Sequence, residues 1–204
     1  YKHDISLNVY TLEIGLLDIS KEEVIDELIP IVESYLNESL EVVSIKDIMH
    51  HLGYTSVVLK HQPNFSLQYG IQQYALEPLY CGDSFSTFHQ DNDHYLALSD
   101  GMGQGKKAAS ESKLTLEVLS KLILNGISLK DTVDSVNALL KIKNHNDMFT
   151  TLDLCNINLA NAKMKLIKYG ANPSYHIRNK MIEKITTNSL PVGIVSKLKM
   201  SSYE

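Results

Sequence analysis

The sequence predicts an α+β fold: short strands joined by turns enclose one consecutive pair of helices, and a smaller α+β unit precedes them. Three observations carry this. From Phe65 onward, Phe65, Leu67, Tyr69, Ile71 and Gln73 alternate with polar or small neighbours, the period of a half-buried strand. Two helical patterns, over 108–124 and 130–142, then follow each other directly. Strand-like runs return after them, and strands, a helix pair and more strands in one core fit an α+β sandwich better than alternating βαβ units.

Taken in chain order, residues 7–17 read as an extended segment. Ser20-Lys21-Glu22-Glu23 is a capping box, in which Glu23 reaches back to the Ser20 backbone, so a helix should start there. Val24, Ile25, Leu28, Ile29, Val32, Tyr35 and Leu36 recur at helical spacing against Glu22, Asp26, Glu27 and Glu33, which predicts one core-facing stripe. Strands are expected over 40–45 and 56–59, with a helical turn in the segment that holds His50, His51 and Gly53. These elements make residues 1–62 a small α+β regulatory or linker unit, and Pro63 marks the boundary to a second domain over 63–204.

In that second domain, strands are predicted over 85–88, 95–99, 149–158, 164–169, 175–178 and 181–186, with turn residues between several of them. Gly126 is placed to end the first helix of the pair, and Ser128 to cap the second.

Composition excludes several classes of function. The chain has 204 residues, enough for one substantial core or a core with a smaller unit, and a formal net charge of −5. No stretch gathers Lys and Arg densely enough for a nucleic-acid footprint. Cys81 and Cys155 are far apart and neither belongs to a CxxC pair, so they read as buried thiols in a reducing cytoplasm. There is no apolar run of about 18 residues and no basic-then-apolar leader, so neither membrane contact by this segment nor a signal peptide is expected. The first residue is Tyr1 rather than Met, and Ser202-Tyr203-Glu204 carries no helix stop, which suggests an excised segment.

The stretch with most chemistry in it runs from Tyr95 to Gly105, where an apolar strand delivers Asp100 into the glycine-rich turn Gly101-Met102-Gly103-Gln104-Gly105 ahead of a helix. Magnesium and manganese favour carboxylate, carbonyl and water oxygens, and glycine lets a backbone carbonyl come close enough to join them. Asp100 and Gly101 supply both kinds of ligand. Taken alone, the same turn also reads as a helix cap formed by Asp100, with glycines that only shape the chain. A phosphate cradle fits less well: a Walker sequence needs Gly where Asp100 stands and Ser or Thr where Lys107 stands, and a dinucleotide fingerprint needs Gly at Lys106. His89, His94, His145 and His176 form no ligand-spaced pair and read as surface or packing residues.

Five short motifs occur in order: Gly82-Asp83-Ser84; Asp100-Gly101-Met102-Gly103; Phe149-Thr150-Thr151-Leu152-Asp153; Gly170-Ala171-Asn172-Pro173-Ser174; and Leu190-Pro191-Val192-Gly193-Ile194. Together, with a helix pair between the second and third, they resemble the phosphatase domain of the stage II sporulation protein E family, PPM-type serine/threonine phosphatases. The similarity covers about 65 to the end, and the α+β unit also looks like the region that precedes the phosphatase in that family.

The resemblance implies a PPM β-sandwich with flanking helices, incomplete at its C-terminus here, and a cleft for two manganese or magnesium ions bridged by a water that attacks phosphorus. It makes Asp100 the catalytic, metal-bridging acid, Gly101 a carbonyl ligand and Asp83 a direct or water-mediated ligand. It makes the helix pair a switch element. The family's later Asp-Gly strand motif and terminal Asp have no counterpart, so this fragment is expected to hold one ion or none and to be inactive alone. The implied substrate is a phosphorylated anti-sigma-factor antagonist, whose dephosphorylation releases a sporulation sigma factor. The implied setting is the cytoplasmic face of a membrane-anchored parent. The competing reading is a non-catalytic scaffold or homodimerisation module derived from the same fold.

Overall fold

The computed structural model describes residues 2–6, 9–17, 20–37, 39–49, 54–75, 79–143, 149–199 and 202–203. The chain divides into two compact units, Tyr1–Ser66 and Leu67–Glu204.

In the first unit, β1 (Lys2–Ser6), β2 (Val9–Leu17), β3 (Leu40–Met49) and β4 (Tyr54–His61) form an antiparallel sheet in the order β1-β2-β4-β3. The turn expected around His50, His51 and Gly53 lies outside the described residues. Between β2 and β3 the chain is helical: α1 (Lys21–Glu23), a π-helical turn (Val24–Leu28) and α2 (Ile29–Leu36). The capping box forms as expected, with the Ser20 N–H donating to Glu23 Oε2 at 2.8 Å and the Glu23 N–H donating to Ser20 Oγ at 3.2 Å. Hydrogen bonding to the Glu23 carboxyl from the Ser20 backbone, and after it from the Ser20 side chain, holds that carboxyl below its usual range. Ser20→Ala is therefore expected to destabilise the first unit by about 1 kcal/mol, read by denaturant unfolding.

The π-helical turn has a cause in Pro30. Proline has no N–H to donate and its ring crowds the carbonyl four residues back, so the ladder widens just before it and the Ile29 N–H bonds to the Val24 carbonyl. A wider turn shifts the phase of the helix. Ile25 and Tyr35, which a uniform 3.6-residue period puts on the buried stripe, are 52% and 89% exposed. The core that does form is Val24, Ile29, Leu40, Val57 and Leu59, with Leu28, Val32, Leu36 and Ile45 packed against it.

In the second unit, β5 (Asp83–Gln90), β6 (Asp93–Asp100), β7 (Leu152–Asn158), β8 (Met164–Tyr169) and β11 (Ser202–Tyr203) make an antiparallel sheet in the order β11-β8-β7-β6-β5. Two further strands, β9 (Ser174–Arg178) and β10 (Met181–Ile185), pair as a separate hairpin. The helix pair is α3 (Gly105–Leu124) and α4 (Leu129–Lys143). The first helix ends in a Schellman arrangement at Gly126, φ 79°, with the Ile127 N–H on the Leu122 carbonyl and the Gly126 N–H on the Ile123 carbonyl. Ser128 Oγ accepts from the Asp131 N–H at 3.2 Å and caps the second. The α+β class is thus the one expected.

One expected strand is absent. The stretch 65–73 pairs with no other strand, runs as irregular chain, and leaves Phe65, Tyr69 and Ile71 exposed rather than on a half-buried face. Alternation alone does not make a strand, which also needs a neighbour for its N–H and C=O groups.

Strand register sorts the sheet's side chains onto two faces. Tyr95 and Ala97 of β6, Leu152 and Leu154 of β7, and Ile167 and Tyr169 of β8 face the helices, where they meet Leu116, Leu119 and Ile123 of α3 and Val133, Val136 and Leu140 of α4. The opposite face carries the cross-strand pairs Asp83/Asp100, Phe85/Leu98, Thr87/Leu96 and His89/His94, continued by Asp153 and Cys155 on β7. Among the described residues, no helix is long and apolar enough to cross a membrane.

Candidate functional site

Asp83 opens β5 and Asp100 closes β6, so antiparallel register sets them directly opposite each other. The Asp100 carboxyl is held above its usual range. Partial desolvation contributes most, followed by the charge of Asp83 and a side-chain hydrogen bond between the two. Two carboxylates this close repel when both are ionised, and a cation between them would offset that repulsion. Register thus delivers a pair of acids that a cation would stabilise.

The glycines around the pair have steric jobs. A Cβ on Gly82 would lie 3.6 Å from the Gly101 carbonyl oxygen and 3.9 Å from Asp100 Oδ1, so these two oxygens sit on the same side, against Gly82. A Cβ on Gly101 would lie 2.1 Å from the Ala108 carbonyl oxygen, because the backbone there runs directly against the first turns of α3. Ser84 Oγ and Ser112 Oγ, 2.8 Å apart, tie β5 to the same helix. Gln73 Nε2 donates to the Asp83 carbonyl at 2.9 Å, which brings the irregular stretch before β5 to the site.

The five sequence motifs converge here. The Gly101 N–H donates to the Gly82 carbonyl at 3.1 Å, joining the first motif to the second. The Met102 N–H donates to the Phe149 carbonyl at 3.0 Å, and the Thr151 N–H to the Asp100 carbonyl at 2.9 Å, joining the second to the third. Thr150 and Val192 exchange both main-chain bonds, at 3.1 and 3.0 Å, joining the third to the fifth. Gly170, φ 61°, lies against the Pro191 ring, where a Cβ would come within 2.3 Å, joining the fourth to the fifth. Buried Asn137 of α4 then secures the fifth motif, accepting from the Gly193 N–H at 2.8 Å and donating to the Val195 carbonyl at 2.9 Å.

A second polar cluster lies on the same sheet face. Lys168, wholly buried, is ion-paired with Asp153 and donates to Ser174 Oγ at 2.7 Å. Asp153 and Ser174 line a cavity of about 330 Å³ whose other walls include Tyr69, Phe85, Leu98, Cys155 and Leu166. Burial pushes the Cys155 thiol up to about 11, so this half-buried cysteine is protonated and unreactive at neutral pH. His89 and His94 stack on each other with centroids 5.2 Å apart, and His176 lies 3.8 Å from Glu183. His145 lies outside the described residues. Among the described residues, no group of three or more His, Cys, Asp or Glu side chains is placed to hold a metal ion.

Sequence reasoning picked out Asp83, Asp100 and Gly101, and the structure brings all three together. It attached no role to Ser99, Thr150, Thr151 or Gln73. The threonines stood in a recognised motif, but nothing in a strand-like run tells which main chain a hydroxyl will meet fifty residues away.

Residues 90–204 match the family described as stage II sporulation protein E. The chain is 29% identical over 204 residues to stage II sporulation protein E of Priestia megaterium, covering 95% of this chain and 35% of that one. It is 30% identical over 203 residues to the protein of that name from Bacillus subtilis, covering 94% and 24% respectively. The chain therefore spans about a third and a quarter of these relatives. Among solved structures, it is similar to the PP2C phosphatase domain, with a fragment of the regulatory domain, of the cell fate determinant SpoIIE from Bacillus subtilis. That match has a TM-score of 0.73 and 27% identity, covering 98% of this chain and 60% of that one.

Proposed function

This chain belongs to the stage II sporulation protein E family, and we propose that it forms part of a manganese- or magnesium-dependent protein serine phosphatase whose metal is held by Asp83, Asp100 and the Gly101 carbonyl. The observation that carries the reading is the convergence of three hard oxygen donors: two carboxylates opposed across a strand pair and a backbone carbonyl beside one of them. Such a set suits magnesium or manganese and not a thiolate- or imidazole-seeking metal.

The donors fit one ion better than two, because the described residues add no third acid to the pair. This chain by itself is thus expected to hold one ion or none, and a complete two-ion shell needs further acids. Bound there, the metal would supply the Lewis acidity that makes water nucleophilic at neutral pH and offsets phosphoryl charge. The chain's own part is to fix the two acids, to let the main chain approach through glycine, and to hold Asp100 against β7. No serine or cysteine nucleophile is required.

Family membership supports a phosphoserine substrate on an anti-sigma-factor antagonist, action at the cytoplasmic face, and residues 1–62 as a regulatory or linker unit ahead of a phosphatase domain over 63–204. The test uses a form of the protein that contains the family's later acidic motifs. Asp100→Asn is expected to lower manganese-dependent phosphate release by about 100-fold or more while leaving thermal unfolding unchanged. Near-wild-type release by the variant would remove Asp100 from the site. That the described residues place no third acid beside the pair also suits a scaffold or homodimerisation module, which gains support if the wild-type protein binds no manganese.

A further inference from the structure

We propose that Thr150 and Thr151 are positioning residues that hold the Asp100–Gly101 main chain in the orientation that presents its oxygens to a metal. The proposal rests on the metal-site reading above. Neither threonine contributes a ligand, and both act through the backbone they grip.

The geometry supports this peptide by peptide. The Asp100 carbonyl accepts from Thr150 Oγ1 at 2.7 Å and from the Thr151 N–H at 2.9 Å. Across the same peptide plane, the Gly101 N–H donates to the Gly82 carbonyl at 3.1 Å, so the plane is pinned at both edges. On the other side of Asp100, its own N–H donates to Thr151 Oγ1 at 2.9 Å. Both main-chain groups of Asp100 therefore end on these two threonines. In the next peptide the Met102 N–H is fixed on the Phe149 carbonyl at 3.0 Å. A trans peptide points its C=O opposite to its N–H, so the Gly101 carbonyl is turned away from Phe149, on the side where it neighbours Gly82 with Asp100 Oδ1.

The hydroxyl network continues inward. Thr150 is fully buried, and its Oγ1 lies 2.6 Å from Ser99 Oγ, which also reaches the Thr151 carbonyl at 2.8 Å. Two hydroxyl protons are thus shared among the Asp100 carbonyl, the Thr151 carbonyl and the Ser99–Thr150 contact, and removing the hydroxyl at position 150 takes one of the two away. Thr150 is held in turn by its main-chain exchange with Val192. A glycine-rich turn has freedom to spare, and these contacts remove it on the side facing β7.

The test compares wild type, Thr150→Val, Thr150→Ser and Thr151→Val, in the form of the protein that contains the family's later acidic motifs, by manganese titration calorimetry and by amide hydrogen exchange without metal. Valine keeps the volume and removes the hydroxyl, whereas serine keeps the hydroxyl. The expected result is manganese affinity lower by about 10-fold or more in both valine variants. Affinity should return with Thr150→Ser, and exchange at the Gly101 and Met102 amides should speed up in the valine variants alone. If Thr150→Val does not fold, Thr151→Val carries the comparison, since its side chain is only partly buried. Unchanged affinity in the folded valine variants overturns the proposal, as does equal loss in Thr150→Val and Thr150→Ser. Failure of the wild-type protein to bind manganese overturns the metal-site reading and this proposal with it, whereas normal wild-type binding with indifferent variants overturns this proposal alone.

Discussion

Gly101→Ala is expected to destabilise the second unit by about 3 kcal/mol or more and to abolish manganese binding in the folded fraction. The added Cβ would stand 2.1 Å from the Ala108 carbonyl oxygen, 2.8 Å from its carbonyl carbon and 3.1 Å from its Cα. A flexible side chain could swing aside, but these are backbone atoms near the start of a 20-residue helix. Relief requires either that α3 move off β6 or that the Asp100–Gly101 peptide rotate away from its partners Gly82, Thr150 and Thr151. Moving α3 opens packing against Leu116, Leu119 and Ile123, and overpacking against a rigid neighbour sits at the upper end of its usual cost of about 1–3 kcal/mol. Rotating the peptide turns the Gly101 carbonyl out of the site. Chemical denaturation and manganese titration of the same variant separate the two responses, and a variant that is both stable and metal-binding would show that α3 does not press on Gly101.

Asp153→Ala is expected to cost about 3–5 kcal/mol, because it leaves the Lys168 ammonium in the interior without its countercharge. Lys168 is 0% exposed and its remaining side-chain partner is Ser174, a neutral hydroxyl. The double variant Asp153→Leu/Lys168→Met should recover most of that loss, since exchanging a buried ion pair for apolar side chains of similar volume is commonly neutral or stabilising. The two opposed residues pair directly across β7 and β8, and Ser174 contacts both, so the comparison reads the loss of the whole buried cluster. Denaturant unfolding, with amide exchange followed in β7 and β8, reads the effect. A single variant as stable as wild type would mean that water reaches Lys168 and that the pair is not buried in solution.

The sequence was informative wherever a local rule fixed the outcome. Ser20 and Glu23 formed the capping box because both partners lie within one helical turn. Gly126 ended α3 and Ser128 capped α4 for the same reason: each answers an unsatisfied main-chain group within a few residues. Asp100 could be singled out because a strand, an acid and a glycine turn follow one another without interruption. The local rules failed where a neighbour was needed. The alternation of 65–73 could not supply a pairing partner, and without one Phe65, Tyr69 and Ile71 stay exposed; Pro30 altered the phase of a helix that a constant period places wrongly at Ile25 and Tyr35.

What the sequence by itself determined was therefore the α+β class and the helix pair with its caps, encoded within short windows; the strand and glycine turn singled out Asp100 and Gly101 as candidate ligands, and Asp83 was singled out only by the family resemblance. Only the tertiary structure decided that Asp83 faces Asp100, that α3 leaves no room for a Cβ at Gly101, and that Thr150 and Thr151 grip the main chain of Asp100. Those relations join residues from 7 positions apart, Gly101 and Ala108, to 51 positions apart, Asp100 and Thr151. Their physical origin is the register of β5, β6 and β7, and register is set by the packing of Tyr95, Ala97, Leu152 and Leu154 beneath the helices.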